Sequence, residues 1–263
     1  MTDNAEWLKD SNLQNLMMRD CPLVNLPHNF FRDTHLTRIH FWNSTLRSLP
    51  DDVFAPLESS LRELDLSHNL LNGRVLVRAV QSLKNLKVLK VNNNPLGSLC
   101  GSSQYYYKME SGLPKNLRRL ELRNTRATRI CSDWTENDHL NEIVLDKNNI
   151  QYLWYSNLRM RRAEDKPVML SMKNNNNNKN PLKLIINKND VNQCGQESLS
   201  QSGGNRKRVK VKLVLNSLDC DCNAYWFREL LLSCPLFTPE GPKLVNCMRA
   251  SKPEMLLALT VKA

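Results

Sequence analysis

Cys220 and Cys222 stand one residue apart in "LNSLDCDCNAYWF" (215–227), just before an aromatic cluster. They cannot bridge each other without strain, because a disulfide needs a set Cα separation and converging Cβ vectors. Each therefore looks elsewhere: to a metal, to a distant cysteine, or to nothing. The chain has 8 cysteines: Cys21, Cys100, Cys131, Cys194, Cys220, Cys222, Cys234 and Cys247. Cys220, Cys222, Cys234 and Cys247 could form a four-thiolate zinc set. Structural zinc sites, however, space their first pair by two to four residues, and one intervening residue speaks against zinc.

Other chemistry is harder to find. The sequence contains no phosphate-binding loop, no dinucleotide-binding glycine motif, no metalloprotease motif and no G-x-S-x-G nucleophile elbow. His28, His35, His40, His68 and His139 are scattered. A non-enzymatic protein without a cofactor is the expectation. "NRKRVKVK" (205–212) has the composition of a nuclear-import or nucleic-acid patch. Alternation offers another reading, with Val211 and Leu213 inward and Lys210 and Lys212 outward on a strand. "NST" at 43–45 makes Asn43 a glycosylation acceptor, compatible with secretion. The net charge of +11 favours an acidic protein face, an anionic lipid surface or nucleic acid as partner. The N-terminal "MTDNAEWLKD" has no basic start or apolar run of a secretory signal. "MLLALTV" (255–261) is too short to span a bilayer. The sequence as it stands reads as soluble: an intracellular protein, or a piece of something larger.

The elements that must carry these residues repeat. "LQNLMMRDCPL", "LTRIHFWNSTL", "LRELDLSHNLL", "LKVLKVNNNPL", "LRRLELRNTRA" and "LNEIVLDKNNI" begin at 13, 36, 61, 86, 117 and 140. All follow L-x-x-L-x-L-x-x-N-x-L, with Cys21, Ser44 and Thr125 replacing Asn in three of them. Steps of 23, 25, 25, 31 and 23 residues are leucine-rich-repeat spacing. L-x-L alternation is a strand period, so each repeat predicts a short strand with residues such as Leu64 and Leu66 inward. Asn69, Asn94 and Asn148 should form a buried amide ladder, because a buried amide without partners is costly. Phe31 and Phe54, at equal offsets, should fill the convex side, and "RVLVRAVQSL" (74–83) spaces Leu76, Val80 and Leu83 as a helix face. Cys21 and Cys194 fall on core-facing repeat positions, where a free thiol packs like a small apolar group. Cys100 and Cys131 each follow a repeat core and are candidates to pair with each other. Residues 154–181 read as a degenerate repeat with an Asn-rich loop. "LKLIINKNDVNQC" (182–194) restores the template with Leu184, Ile186, Asn189 and Val191, and "VKVKLVLNSL" (209–218) ends it.

The predicted fold is an α/β solenoid, a horseshoe with short parallel strands on its concave face. Outward strand positions hold more bases than acids. Arg38, His40, Trp42, Arg62, Lys90, Arg118, Arg119 and Arg123 are the candidate ligand-binding residues, and Lys183, Lys188, Lys210 and Lys212 extend the basic face. Trp42, an outward aromatic beside Arg38 and His40, has the character of a binding hot spot.

The last repeat runs into Cys220, and an open repeat stack needs a cap. Trp226, Phe227, Leu230 and Leu231 predict one apolar face of a short helix, started by Asp221 or Asn223 and ended by Pro235. "SLDCDCNAYWF" followed by "KLVNCMRASKPEML" resembles the cysteine-rich C-terminal cap of extracellular leucine-rich-repeat proteins, above all that of arthropod Toll-family receptor ectodomains. The resemblance covers nearly the whole chain. The repeats and cap divide the chain into 1–153 (six clear repeats), 154–181 (degenerate repeat and loop), 182–219 (last repeats) and 220–263 (an incomplete cap). By family pairing of first cysteine with third, the resemblance implies a Cys220–Cys247 disulfide. Cys222 lacks the family's fourth cysteine, and Cys234 is extra. The implied function is binding of an extracellular protein ligand or second receptor chain, in innate-immune or developmental signalling. The implied location is the cell surface, with membrane contact only through segments this sequence does not contain. The alternative is an intracellular adaptor binding nucleic acid or an acidic protein.

Overall fold

The computed structural model describes residue 8 and residues 12–100, 111–162, 166–175, 182–199, 207–214, 217–218, 222–234, 237–239 and 246–247. The chain divides into two compact units, Met1–Ala127 and Thr128–Ala263.

The first unit is built on five short strands, each from one L-x-L core: β1 (Asn15–Arg19), β2 (Arg38–Trp42), β3 (Glu63–Asp65), β4 (Val88–Lys90) and β5 (Arg119–Glu121). They lie parallel in chain order, and the register aligns Leu16, Ile39, Leu64, Leu89 and Leu120. Ile39, Leu64, Leu89 and Leu120 are fully buried, as are Phe41, Leu66 and Val91 two residues on. Alternate residues point away from this core, as the two-residue strand period requires, and all but Glu121 are at least partly exposed. Behind the sheet Phe31 and Phe54 stack at 5.4 Å, both fully buried. Helix α1 (Gly73–Val80) buries Leu76, Ala79 and Val80, with the Asn72 side chain capping it by accepting from Val75 N at 3.0 Å.

The predicted amide ladder is present. Asn69 Oδ1 accepts from Ser44 N and Leu46 N, both at 3.0 Å, while its Nδ2 donates to Phe41 O and Leu66 O. Asn94 repeats this one coil on, accepting from Leu71 N and donating to Leu66 O and Val91 O. Each amide thus satisfies turn groups in its own coil and in the coil before it.

A second repeated feature escaped the sequence reading. Asp20, Asn43, His68, Asn93, Asn124, Lys147 and Asn174, each one residue before the ladder position, all have φ between 52° and 58°. Asn, Asp and His are the non-glycine residues that tolerate this left-handed region best, which explains their dominance there. Thr45 and Arg126 are also left-handed. They follow Ser44 and Thr125, two of the positions where the ladder Asn is replaced.

In the second unit the sheet runs β6 (Glu142–Val144), β9 (Val168–Ser171), β12 (Val211–Val214) and β14 (Phe237–Pro239), all parallel. Within the segment read as degenerate, β9 is a member of the main sheet. β9 supplies buried Leu170, and Asn175 accepts from Ile150 N at 3.2 Å and donates to Leu145 O at 2.6 Å. The next segment corrects the reading the other way. β10 (Lys183–Ile185) pairs not with the main sheet but with β7 (Tyr152–Trp154), and the chain then enters helix α4 (Lys188–Leu199). Asn189 is exposed on that helix and belongs to no ladder. The L-x-L alternation of Leu182, Leu184 and Ile186 serves a strand on either side of a coil, and only its partner decides which. Lys183 and Lys188 therefore lie off the main sheet, whereas Lys212 is a residue of β12 within it.

Helix α5 (Cys222–Ser233) forms where a cap helix was predicted, with Phe227, Leu230 and Leu231 buried. It packs on α4, β10 and β14. Two further pairings extend the stack past the predicted last repeat: β12 with β14, and β13 (Ser217–Leu218) with β15 (Asn246–Cys247). A short ribbon, β8 (Arg161–Arg162) against β11 (Lys207–Arg208), is antiparallel. Short helices α2 (Ser132–Glu136) and α3 (Tyr155–Leu158) complete the described elements of this unit.

Cys194 is not a free core thiol. It bonds Cys234, tying α4 to the end of α5 across a sequence separation of 40. That bond also removes Cys234 from any zinc set and from pairing with Cys222. Cys100 and Cys131 are each disulfide-bonded. Cys21 is free but half-buried rather than enclosed, its thiol 3.4 Å from Arg19 O. Cys220 and Asp221 lie outside the described residues, and of Cys222 and Cys247 only the backbone is described, so the Cys220–Cys247 pairing lies outside them too.

Candidate functional site

The solvent side of the first unit's sheet collects most of the candidate residues. Parallel register sets Met17, His40, Asp65, Lys90 and Glu121 in one row across β1 to β5. A second row contains Asn15, Arg38, Glu63, Val88 and Arg119. Arg19 and Trp42 are opposed on β1 and β2.

The cations on these rows are not independent charges. Glu63 sits among Lys90 Nζ at 2.8 Å, His40 Nε2 at 3.3 Å and Arg38 Nε at 3.9 Å. The His40 contact is ionic in distance but lacks hydrogen-bond alignment. Glu121 is only 4% exposed. It is held by Arg119 Nε at 2.8 Å, by Arg123 Nη1 at 2.5 Å and by Asn92 Nδ2 at 3.0 Å. Burial alone would push both carboxyls up. For Glu63 the hydrogen bond and charge of Lys90, then His40 and Arg38, outweigh it and the carboxyl is held down. For Glu121 the Asn92 hydrogen bond and the charges of Arg123 and Arg119 do the same. Guanidinium and ammonium groups thus surround each of the two carboxylates.

Beside this charged floor lies an aromatic corner. Arg19 stacks its guanidinium 4.3 Å over the Trp42 ring, and Trp42 contacts His68 at 4.6 Å between centroids. His68 Nε2 lies 2.9 Å from Asn93 Nδ2, and Asn93 Oδ1 accepts from Asn124 at 2.8 Å. Asn43, the sequon residue, is exposed next to Trp42 and donates to Asp20 Oδ1 at 2.6 Å.

Arg38, His40, Trp42, Lys90, Arg119 and Arg123 are thus brought together. Arg62 and Arg118 each stand one residue before their strands, and Arg62 Nη1 donates to Ser59 O at 2.9 Å, back toward the preceding turn. Sequence reasoning passed over Met17, which is 70% exposed in the same row as His40. Alternation around Leu16 was the available signal. It also passed over the Arg19 stack, which only register reveals.

No family model matches the chain. Among curated proteins it is similar to Transforming growth factor beta activator LRRC33 of Danio rerio, 27% identical over 129 residues. That stretch is 49% of this chain and 17% of LRRC33. Among solved structures it resembles a chain of the Drosophila Toll–Spatzle complex, with a TM-score of 0.55 and 20% identity over 89% of this chain and 34% of that one. It also resembles human 5T4, with a TM-score of 0.53 and 18% identity, covering 95% of this chain and 85% of that one. The fold is a leucine-rich-repeat solenoid. Its strands, amide ladder and C-terminal disulfide are those of a leucine-rich-repeat chain. The chain spans well under two thirds of both LRRC33 and the Toll-complex chain.

Proposed function

We propose that this leucine-rich-repeat chain is a non-enzymatic protein-binding module of an extracellular receptor ectodomain of the Toll-like kind, serving innate-immune or developmental signalling. The carrying observation is the sheet face of the first unit, where Arg38, Lys90, Arg119 and Arg123 surround two carboxylates beside the Arg19–Trp42–His68 stack. Mutual ion pairing fixes these long side chains before a partner arrives, which lowers the ordering cost of binding. Carboxylates of an acidic partner surface would share the half-exposed cations, and Trp42 would be the buried anchor. The similarity to a chain of a complex between Toll and Spatzle supports a protein ligand or second receptor chain as partner. Cystine bonds support an oxidising, extracellular setting. In this reading residues 1–153 supply the binding repeats and 220–263 a cysteine-rich cap closed through Cys220 and Cys247. A sugar on Asn43 would flank the binding face.

The test is surface plasmon resonance of the secreted chain against a panel of extracellular proteins that includes Spatzle. Trp42→Ala should weaken a bound ligand by about tenfold or more, the range of a hot-spot aromatic. Unchanged affinity in Trp42→Ala and Met17→Asp alike would place the site elsewhere.

A further inference from the structure

The antiparallel ribbon of the second unit is built from two basic segments far apart in sequence. Its register sets Lys207 opposite Arg162 and Arg208 opposite Arg161. All four paired positions are cations. Like charges directly opposed across an antiparallel pair destabilise it. The ribbon leads straight into the main sheet, with Val209 N donating to Met160 O at 3.3 Å and Val168 N to Lys210 O at 2.8 Å. Along the chain the basic run goes on through exposed Lys210 to half-buried Lys212 on β12. From Asn205 to Lys212 the sequence contains no acid; in the other segment Glu164 and Asp165 follow Arg162. The sequence motif "NRKRVKVK" becomes a site only because β11 meets Arg161–Arg162.

We propose that this ribbon binds an extended sulfated polysaccharide. A polyanion with fixed sulfates along its length offsets the opposed cations and follows the band from β8 and β11 toward β12. Nucleic acid fits the ribbon less well. Single-strand sites interleave aromatics on which bases stack, and the four paired positions hold none. The cystine bonds also point to a setting outside the cytosol and nucleus. The ribbon lies in the second unit and the proposed protein-binding face in the first, so either assignment stands or falls without the other.

Heparin hexasaccharide is titrated calorimetrically onto the full chain at low and physiological salt. Binding weakens as salt rises. The joint variant Arg161→Gln, Arg162→Gln, Lys207→Gln and Arg208→Gln loses affinity by about tenfold or more, as expected when several ionic contacts and their released counterions go. A control removing as much charge from exposed positions of the first unit (Arg32→Gln, Arg47→Gln, Arg74→Gln and Lys115→Gln) loses less than about twofold, the long-range effect of net charge alone. Equal losses in the two variants overturn the proposal, because net charge then does the binding. Should the ribbon variant not fold, acetylation footprinting of the unaltered chain decides. Bound hexasaccharide protects Lys207 and Lys210 relative to Lys115, and equal labelling overturns the site. Tighter binding of a single-stranded oligonucleotide of equal charge overturns the polysaccharide assignment.

Discussion

Glu121 is almost wholly enclosed yet held in its ionised form, because Asn92, Arg123 and Arg119 more than offset its burial. Its folded-state pKa, like that of Glu63, lies below the ordinary value of 4.5. The folded chain thus binds fewer protons than the unfolded one through this range. The stabilisation is present above pH 4.5 and is lost as pH falls below it toward the folded values. Thermal melts should show a midpoint that drops below that pH, and Glu121→Gln should flatten the drop. An identical pH profile in the variant would count against this account. The ladder amides make a second residue-level prediction. Asn94→Ala strands Leu71 N and Val91 O and leaves Leu66 O with Asn69 as its side-chain donor, which should cost about 3 kcal/mol in urea unfolding, as buried polar groups lose their partner. Asn69, Asn94 and Asn148 were legible because a repeated polar residue inside an apolar pattern demands a reason. The left-handed residue before each was equally visible as Asp20, Asn43, His68, Asn93, Asn124 and Asn174. It went unread because a surface polar residue in a turn demands none.

Helix α1 approaches the following coil so closely that only Gly fits at its first position. A Cβ on Gly73 would meet Leu96 O at 2.8 Å and Leu99 Cδ2 at 2.9 Å. Gly73→Ala should therefore destabilise by about 2 kcal/mol through overpacking. Helix propensity by itself would favour Ala by about 1 kcal/mol, so the sign of the measured change separates the two effects. At Gly97 a Cβ finds open space, and only its φ of 71° opposes substitution, at about 1 kcal/mol. α1 was readable from the helical spacing of Leu76 and Val80, but it ends at Val80, and Leu83, read as part of the same face, is buried just beyond it. β10 was not readable. Leu182, Leu184 and Ile186 alternate like any strand, and the partner Leu153 that draws them to the far side of the coil sits a whole repeat away. The charge clusters were half legible: outward Arg38, Lys90 and Arg119 follow from alternation. Their pairing with Glu63 and Glu121 follows from register and from the reach of each side chain.

At the scale of the whole chain, stability in a repeat stack is close to a sum of coil and interface terms. The Cys194–Cys234 bond closes its loop wholly within the second unit. Cys234→Ser should lower stability there by about 4 kcal/mol on chain-entropy grounds for a loop of this length. Hydrogen exchange should then show lost protection in β9, β12 and α5, and unchanged protection in β2, β3 and β4. Uniform loss along the chain would instead mean that the units unfold as one.

Neighbouring strands of the first unit are joined by short connections, as where Ile39 pairs with Leu64, and Leu64 with Leu89. Leu170 pairs with Leu213 only after the chain has travelled through β10, α4 and β11. Closing that excursion costs more chain entropy before its contacts repay it, so β9–β12 should be a late step of assembly. Refolding should begin among the closely spaced coils and advance like a zip that stalls at this gap. A chaperone meeting the nascent chain would find its longest-lived unpaired strand edge at Val168–Ser171.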